Sequence, residues 1–241
     1  MAETAALVIL PTYNEAGNLP GLVAAVLEAL PGCHVLVVDD ASPDGTGAWA
    51  AGQAAAQPRL HLLARPAKLG LGSAYRAGWR WGLDRGHDPL VTMDADWSHH
   101  PRYLPALVAL LEDGADLGIG SRYVAGGGVR NWGLHRRLLS RGANLLSRLL
   151  LRLPARDATA GFRAYRASCL RAIGPEAIRA EGYSFLEESL WRVDRAGKRV
   201  AETPILFEER RHGRSKIDRK EILRAAATLL RLRFSRPDPL P

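Results

Sequence analysis

Residues 35–46 read VLVVDDASPDGT, an apolar, β-branched run that ends in two carboxylates and a turn. A run that is uniformly apolar, with no polar alternation, is typical of a strand buried on both faces of a parallel sheet. The Asp-Gly-Thr that follows favours a turn, and we interpret Asp44 as a cap of the next helix. The stretch therefore predicts a strand and a helix, with acidic residues at the carboxyl end of the strand.

The same alternation of strand and helix continues on both sides of this stretch, through residue 122. The predicted strands are Ala6–Leu10, Val35–Val38, Leu60–Ala64, Leu90–Met93 and Leu117–Gly120. The predicted helices are Asn18–Leu30, Thr46–Ala56, Gly72–Arg85 and Pro101–Asp113. This spacing predicts βαβ units, and hence an α/β fold with a mostly parallel sheet flanked by helices.

Polar residues follow three of the predicted strands. They are Thr12-Tyr13-Asn14-Glu15, Asp39-Asp40 and Asp94-Ala95-Asp96. Ligands of open α/β sheets bind at the carboxyl ends of the strands, so we expect one functional site to contain these residues. Neither a P-loop nor a dinucleotide fingerprint follows the first strand, which argues against those two kinds of phosphate site.

The Asp94-Ala95-Asp96 sequence indicates a metal. Two carboxylates in one small volume raise each other's pKa unless a cation lies between them. Oxygen ligands suit Mg²⁺ or Mn²⁺, which binds few carboxylates and completes its shell with substrate phosphates. Asp94 and Asp96 are therefore predicted to hold a divalent metal and a diphosphate, and Asp40 and Glu15 are candidates for the ribose and base.

Charge divides the chain into two halves. Residues 1–120 hold 13 acidic and 7 basic residues, net −6, whereas residues 121–241 hold 12 acidic and 26 basic residues, net +14. The second half is expected to face an anionic surface, either lipid phosphate or nucleic acid. A nucleic-acid-binding protein should interleave its basic residues with exposed aromatics, but the 6 Trp are scattered, so we reject nucleic acid.

An amphipathic helix is predicted over Leu134–Leu153. One stripe of the helix carries arginines, namely Arg137, Arg141, Arg148 and Arg152. The adjoining arc carries leucines, namely Leu134, Leu138, Leu139, Leu145, Leu146, Leu149, Leu150 and Leu153. This pattern is typical of a helix in a membrane interface, but a helix packed on a core at the solvent edge gives it too. Glu221–Phe234 repeats the pattern, and residues 235–241 are expected to form a flexible tail.

Targeting features are few. The amino terminus shows no basic region and no cleavage site, so a secretory signal is not expected. No stretch approaches the roughly 18 apolar residues of a membrane-spanning helix. Cys33 and Cys169 form no disulfide framework and are interpreted as thiols in a reducing cytoplasm.

Nine short motifs occur in the order seen in dolichyl- and polyprenyl-phosphate mannosyltransferases. They are PTYNE, VVDDASPDGT, LGLGSAY, MDADWSHHP, GSRY, GGGV, SRGAN, DATAGFRAYR and ERRHGRSK. From about Leu7 to Phe234 the chain resembles this family of inverting, family 2 glycosyltransferases with the GT-A fold. SRGAN together with the G-x-S-K element narrows the resemblance to the lipid-phosphate branch.

The resemblance implies inverting transfer of mannose from GDP-mannose to a polyprenyl or dolichyl monophosphate, with Mg²⁺ or Mn²⁺. It implies one GT-A domain over residues 1–234, with the nucleotide sugar and metal on 1–122 and the acceptor and membrane on 123–234. The enzyme would be peripheral on the cytoplasmic face of a membrane, and a separate membrane subunit is a candidate anchor. A UDP-glucose donor or another acceptor stays open, because the sequence does not display the details of the base pocket.

The resemblance also implies roles for individual residues. The guanosine pocket would be lined by Pro11, Tyr13, Glu15, Val38 and Asp40. The diphosphate and mannose would meet Asp94, Ala95 and Asp96, with Asp94 and Asp96 on the metal and Ser98 a weaker metal contact where some members have Gln. The donor phosphates would contact Arg122, Arg210 and Lys216, and the catalytic residues would be Asp94, Asp96 and Arg122. The acceptor phosphate would contact Arg136 and Arg141. Glu188 receives no firm role, because the neighbouring Leu186 departs from the Gln of some members.

The chemistry of such an acceptor agrees with this assignment. A phosphate monoester has a second pKa of about 6, so it is largely dianionic at pH 7 and needs no general base. Asp157 is therefore only a weak candidate for a base. The difficulty is repulsion between two phosphate groups, which a metal on one and arginines on the other relieve.

Overall fold

A seven-stranded sheet with helices on both faces forms the centre of the computed structural model, which describes residues 4–182, 184–208 and 219–235. The strands are β1 Leu7–Thr12, β2 His34–Asp39, β3 Leu60–Ala64, β4 Leu90–Thr92, β5 Leu117–Ser121, β6 Gly128–Val129, β7 Arg163–Tyr165, β8 Val200–Pro204 and β9 Leu206–Phe207. Their order in the large sheet is β3-β2-β1-β4-β7-β5-β8, and β6 pairs with β9 in a small second sheet. Only β7 runs antiparallel to its neighbours, so the predicted mostly parallel sheet is confirmed.

Eight α-helices connect or follow these strands in the described part of the chain. They are α1 Leu19–Ala29, α2 Thr46–Ala54, α3 Leu71–Asp84, α4 Leu104–Glu112, α5 Leu134–Leu151, α6 Ala167–Ile173, α7 Ser184–Arg195 and α8 Arg219–Phe234. Two short 3₁₀ helices cover Pro101–Tyr103 and Pro175–Ala177. The elements predicted up to residue 122 are all present, apart from small shifts at their ends and the 3₁₀ turn that precedes α4.

The two faces of the sheet build two separate apolar cores, because successive side chains of a strand point to opposite faces. On β1, Leu7 and Ile9 belong to the core beneath α3 and α7, whereas Val8 and Leu10 belong to the core beneath α1 and α4. Helix α3 lies close to the sheet because Gly78 lacks a side chain, and a Cβ there would be 2.6 Å from the Ile9 side chain. This layering leaves the carboxyl ends of the parallel strands at one edge.

Strand β7 was not predicted from the sequence. Its three residues are too few to show a period, and a charged Arg163 at its start does not look like a buried strand. Arg163 is nevertheless fully buried, and it donates hydrogen bonds to the carbonyls of Ala158, Ala160 and Leu186 at 2.7–2.8 Å. This guanidinium therefore binds the loop before β7 and the helix α7 to the sheet.

We expect the substitution Arg163→Met to lower the free energy of unfolding by about 3 kcal/mol or more. The methionine fills most of the volume, but it leaves three buried carbonyl oxygens without their donor, at about 1–3 kcal/mol each. Urea denaturation followed by circular dichroism measures the change. The control Arg171→Met, at an exposed position of α6, should change stability by less than about 0.5 kcal/mol. Equal stabilities of the two variants would contradict the role given to Arg163.

Candidate active site at the carboxyl edge of the sheet

The loops after β1 and β2 are joined by short polar contacts. Asp39 accepts hydrogen bonds from the Thr12 hydroxyl at 2.9 Å and from the Ser42 hydroxyl at 2.6 Å. Asp44 accepts from both the backbone nitrogen and the hydroxyl of Thr46, the first residue of α2. Burial alone would raise the pKa of Asp44, but the hydrogen bonds from Thr46 and the backbone lower it. Asp44 accepts from the first N–H of α2, as predicted for a capping side chain, although the N-cap position itself is Gly45.

Asp40 is engaged by protein groups at both of its oxygens. Its Oδ1 lies 2.9 Å from Nε of Arg65, and its Oδ2 accepts from the backbone nitrogens of Leu69 and Gly70 at 2.9 and 3.0 Å. The carboxylate therefore fixes the course of the loop between β3 and α3. Its predicted contact with the donor's ribose stays a prediction.

The other residues predicted to line a guanosine pocket lie at the same edge. Pro11 and Val38 are register partners on the neighbouring strands β1 and β2. The ammonium group of Lys68 lies over the ring of Tyr13, 4.0 Å from its centre, and Glu15 lies at the turn into α1. The structure thus brings these residues together and adds Lys68. Sequence reasoning missed Lys68 because the loop that carries it is brought to the site by hydrogen bonds from Leu69 and Gly70 to Asp40, which the sequence does not reveal.

The carboxylates of the DAD motif follow β4 and are oriented by neighbouring side chains. Asp94 accepts a hydrogen bond from the hydroxyl of the buried Tyr75 at 3.2 Å. Asp96 accepts from the Ser98 hydroxyl at 2.5 Å and from its backbone nitrogen at 3.1 Å. The side chain of Asp94 is 35% exposed, whereas that of Asp96 is largely buried. The loop therefore presents two positioned carboxylates, of which one faces outward.

His99 holds the backbone of this loop, a role that sequence reasoning missed. Its Nδ1 accepts a hydrogen bond from the backbone nitrogen of Asp94 at 3.1 Å, and its ring stacks on Phe162 at 5.2 Å. Burial lowers the pKa of His99, although the nearby carboxylates act in the opposite direction. The imidazole is therefore neutral at pH 7, and Nδ1 stays available as an acceptor.

Trp97 takes a backbone conformation that is rare for a bulky residue, with φ at +67°. Its indole reaches α1 at Gly21, where a Cβ would lie 3.3 Å from the ring. Such local strain persists only where the surroundings determine the conformation, and it is concentrated at functional sites. The strain falls between Asp96 and Ser98, at the centre of the DAD loop.

The donor set of this loop fits a divalent metal that also binds substrate. Within the described ranges no three His, Cys, Asp or Glu side chains converge to enclose a metal by themselves. Mg²⁺ and Mn²⁺ take one or two carboxylates when substrate phosphates complete their shell, and Asp94 and Asp96 supply that number. The Ser98 hydroxyl donates to Asp96, which gives Ser98 a positioning role, and its direct contact with a metal stays a prediction.

A buried ion pair between Arg122 and Asp157 lies next to this loop. The guanidinium donates from Nε and Nη2 to the two oxygens of Asp157, at 2.8 and 2.7 Å. Burial alone would raise the pKa of Asp157, but Arg122 holds it below its usual value. Phe207 lies between the two parts of the site, because its ring contacts both His99 and Arg122. Arg122 thus faces the site already neutralised, and its contact with the donor stays a prediction.

Beyond this ion pair lies a cavity of about 430 Å³ beside α5. Four arginines line it, namely Arg122, Arg141, Arg148 and Arg156, together with Tyr123, Val124, Gly127, Asn144 and Leu145. Arg141 lines this cavity, whereas Arg136 lies over the Trp132 ring at 4.1 Å and is not among the lining residues, and the contact of either arginine with an acceptor stays a prediction. Arg148, a member of the predicted arginine stripe, lines the cavity as well, and Arg156 was not singled out by sequence reasoning.

Helix α5 packs on the domain through its polar face. Its buried residues are Asn144, Ser147 and Leu151, and Asn144 donates to the Thr159 hydroxyl at 2.9 Å. Six leucines that we call the leucine face are 49–73% exposed, namely Leu134, Leu138, Leu139, Leu145, Leu146 and Leu149. Leu230 and Phe234 of α8 are exposed as well. The orientation favours the interfacial interpretation over packing on a core, except that Leu153 is buried beyond the end of α5.

Glu188 gains a role that the sequence could not assign. It accepts from the backbone nitrogen of Ala180 at 2.8 Å and pairs with Arg231 of α8 at 2.7 Å. This carboxylate therefore links α8 to α7. Arg210 and Lys216, predicted donor ligands, lie outside the described residues, as does the predicted tail beyond Ser235.

The chain is similar to known glycosyltransferases in sequence. The model of the family described as glycosyl transferase family 2 matches residues 7–174. An undecaprenyl-phosphate mannosyltransferase of Micrococcus luteus is 52% identical over 211 residues, which cover 88% of this chain and 86% of that protein. A polyprenol monophosphomannose synthase of Mycolicibacterium smegmatis is 51% identical over 220 residues, which cover 91% and 83%.

Solved structures with the same fold include glucosyl-3-phosphoglycerate synthase from Mycobacterium tuberculosis in complex with Mn²⁺, UDP and glucosyl-3-phosphoglycerate. The match has a TM-score of 0.69 and 22% identity, and it covers 99% of this chain and 82% of that one. A complex of the same synthase with phosphoglyceric acid alone gives a TM-score of 0.70 at 23% identity and covers 99% and 82%. The expected GT-A fold is thereby confirmed.

The ion pair should be visible in the pH dependence of stability. Because the pKa of Asp157 is depressed in the folded state, its stabilisation is present above the ordinary value of about 3.9 and is lost as pH falls through the folded pKa. Asp157→Asn should be less stable by about 3–5 kcal/mol at pH 7, since it leaves Arg122 buried and unpaired. It should also show a shallower loss of stability below about pH 5 in urea titrations.

A double variant distinguishes the stability lost with the ion pair from the stability lost through a general packing defect. Arg122→Met combined with Asp157→Leu should recover much of the lost stability, because no unpaired charge remains. Additive losses in the double variant would contradict the coupling between these two residues.

Proposed function

The chain belongs to glycosyl transferase family 2, and we propose that it transfers mannose from GDP-mannose to a polyprenyl monophosphate with inversion. The observation that carries the proposal is the pairing of an acidic DAD loop with an arginine-lined cavity across Phe207. An acidic loop suits a metal-bound donor, and an arginine cavity suits a second phosphate. The named activities of the two bacterial relatives support mannose as the sugar and a polyprenyl phosphate as the acceptor.

The donor would lie along the carboxyl edge of the sheet. The base and ribose would occupy the region of Pro11, Tyr13 and Val38, and the diphosphate would approach Asp94 and Asp96. A divalent metal held by these two carboxylates would supply neutralisation of the charge that develops on the departing GDP. Tyr75, Ser98 and His99 keep the loop in shape, so that little reorganisation accompanies the reaction.

The acceptor provides its own nucleophile. An oxygen of its phosphate forms the new bond to the anomeric carbon, while the bond from that carbon to the GDP oxygen breaks and GDP leaves with the electron pair. No proton must be moved, because the phosphate monoester is largely dianionic at pH 7. This fits the state of Asp157, whose oxygens are occupied by Arg122. Arg141 and the cavity would hold the acceptor's phosphate against the repulsion of the donor.

The enzyme would meet its acceptor at a membrane surface. Among the described residues, no helix is long and apolar enough to span a bilayer. The acceptor's phosphate stays in the headgroup layer, since moving its charge into hydrocarbon is prohibitively costly. The leucine face would insert at the acyl boundary, with the exposed Arg137 and Arg152 at the headgroups. A separate anchoring subunit remains an alternative means of attachment.

The membrane face would be the cytoplasmic one. Cys33 and Cys169 are both free and buried, as suits a reducing compartment. Burial raises the pKa of Cys33 to about 11 and that of Cys169 to about 12, so neither thiol is a nucleophile at neutral pH.

A donor screen with metal removal tests the reaction. Radiolabelled GDP-mannose, UDP-glucose and UDP-N-acetylglucosamine are each incubated with a polyprenyl phosphate, and label in the organic phase is counted. We expect transfer from GDP-mannose, loss of transfer in EDTA, and at least about a hundredfold loss of kcat in Asp96→Asn without loss of Tm. Asp84→Asn, at the exposed end of α3, is the control with unchanged activity. Full activity in EDTA would rule out the metal, and label from UDP-glucose alone would rule out the donor.

Vesicle cosedimentation tests the docking. The double variant Leu138→Glu/Leu149→Glu should lower the partition coefficient on phosphatidylglycerol vesicles by at least about tenfold, because two apolar side chains no longer enter the acyl boundary. Leu69→Glu, a 52% exposed leucine of the β3–α3 loop, is the matched control. Binding should also weaken with salt and on phosphatidylcholine vesicles. Binding of the double variant equal to that of the control would assign the anchoring to another protein.

A further inference from the structure

The cavity beside α5 is lined by four arginines, of which only Arg122 has a carboxylate partner among the described residues. Arg122 is paired with Asp157. In the part of the chain that the structure describes, the guanidinium groups of Arg141, Arg148 and Arg156 have no carboxylate partner, and the nine lining residues include no acidic side chain. A concave site lined with cations concentrates anions. The cavity is therefore built for a ligand of at least two negative charges.

Arg148 gives the most direct sign that the cavity binds an anion. Its Nε is buried and has no hydrogen-bond acceptor within the described ranges. A charged donor that is buried without an acceptor destabilises the protein, unless a ligand supplies the acceptor. Arg148 lies seven residues after Arg141, which is two helical turns or about 10.5 Å along α5. The two long side chains therefore rise from the same side of the helix and can converge on an anion between them.

The wall between these two arginines is rigid. Asn144 donates from Nδ2 to the hydroxyl of Thr159 at 2.9 Å and accepts from the Thr159 backbone nitrogen at 3.3 Å. The same hydroxyl accepts from Arg122 at 2.8 Å. The helix carrying Arg141 and Arg148 is thus fixed to the loop that carries Arg156. The backbone segments that carry these arginines therefore need little rearrangement when an anion binds.

One lining residue of the cavity indicates what the anion is attached to. Leu145 lines the cavity and is also a 53% exposed member of the leucine face. An apolar surface therefore adjoins the cavity at Leu145, where a hydrocarbon chain attached to a bound phosphate could lie. This geometry suits a phosphate monoester of a lipid better than a water-soluble sugar phosphate.

We propose that Arg148 and Arg156 are specificity-determining residues that bind the acceptor's phosphate together with Arg141. The inference rests on the proposed function and specifies which side chains select the acceptor. Guanidinium forks match phosphate oxygens in pairs, and the three cations favour the dianion over the monoanion. Arg148 therefore acts inside the cavity, while Arg137 and Arg152 remain on the outer surface.

The kinetic test uses farnesyl phosphate as a short acceptor in detergent, so that docking on a membrane does not contribute. Arg148→Gln and Arg156→Gln should each raise the acceptor KM by about tenfold or more, the scale of one charge-assisted hydrogen bond. The kcat at saturating acceptor and the KM for GDP-mannose should stay within about threefold of the parent enzyme. Arg148→Lys should recover part of the loss, and Arg171→Gln, which removes an exposed charge on α6, should leave all three constants unchanged.

A calorimetric test without donor reports on the cavity alone. Farnesyl phosphate should bind more weakly at pH 5.5 than at pH 7.5, because its second pKa is about 6, and Arg148→Gln should reduce both the affinity and this pH dependence. Farnesol should not bind in the cavity. Inorganic phosphate that binds as tightly as farnesyl phosphate would indicate a general anion site and overturn the assignment.

The two proposals fail in different ways. An acceptor KM within about twofold of the parent value in both Gln variants would overturn the role of Arg148 and Arg156 and leave the proposed function standing. A parent enzyme that transfers no mannose to any polyprenyl phosphate would overturn the proposed function, and farnesyl phosphate binding would still report on the cavity.

Discussion

The buried ion pair of Arg122 and Asp157 determines how helix α5 is joined to the central sheet. Arg122 directly follows β5, and Asp157 lies in the loop after α5, whose backbone is held by Glu202 of β8. Thr159 then connects the same guanidinium to Asn144 of α5. Because two desolvated charges must stay together, the position of α5 relative to the sheet is fixed by electrostatics as much as by apolar packing. Arg122 and Asn144, which both bond to Thr159, line the cavity, so this connection forms part of its wall.

Local patterns in the sequence were sufficient to predict most of the sheet. Apolar runs, turn residues and helical spacing are encoded within a few neighbours, so the strands and helices before residue 122 could be located with only small errors at their ends. Strand β7 could not be found in this way, because Arg163 is buried by carbonyl partners from α7 and from the loop after α5. These carbonyl groups lie close to Arg163 only in the folded chain, so they cannot be identified as its partners before the topology is known.

In the candidate site, too, the residue types could be predicted from the sequence but their contacts could not. Residue types identified the chemistry of Asp94 and Asp96, because paired carboxylates after a strand have few other uses. The hydrogen-bond partners of these residues could not be predicted. The structure pairs Asp40 with Arg65 and Ser98 with Asp96, and neither pairing was expected from the sequence. A helical wheel gave the two stripes of α5 except at Arg152 and Leu153, which lie beyond the end of the helix, and it could not say which side faces inward. Asn144 and Ser147 decide that, through Thr159 and Glu187, and so turn Arg148 toward the cavity.

The division of labour around α5 has an evolutionary consequence. The helix is attached to the domain by hydrogen bonds of Asn144 and Ser147 and by apolar packing of Leu150 and Leu151, whereas the six leucines of the leucine face are exposed. If the leucine face docks as proposed, substitutions among the leucines would change which lipids the enzyme favours while catalytic geometry is preserved. Selection for folding and selection for membrane attachment would then act on different residues of one helix, so that a lineage could move this enzyme between bilayers of different composition without a change in its chemistry.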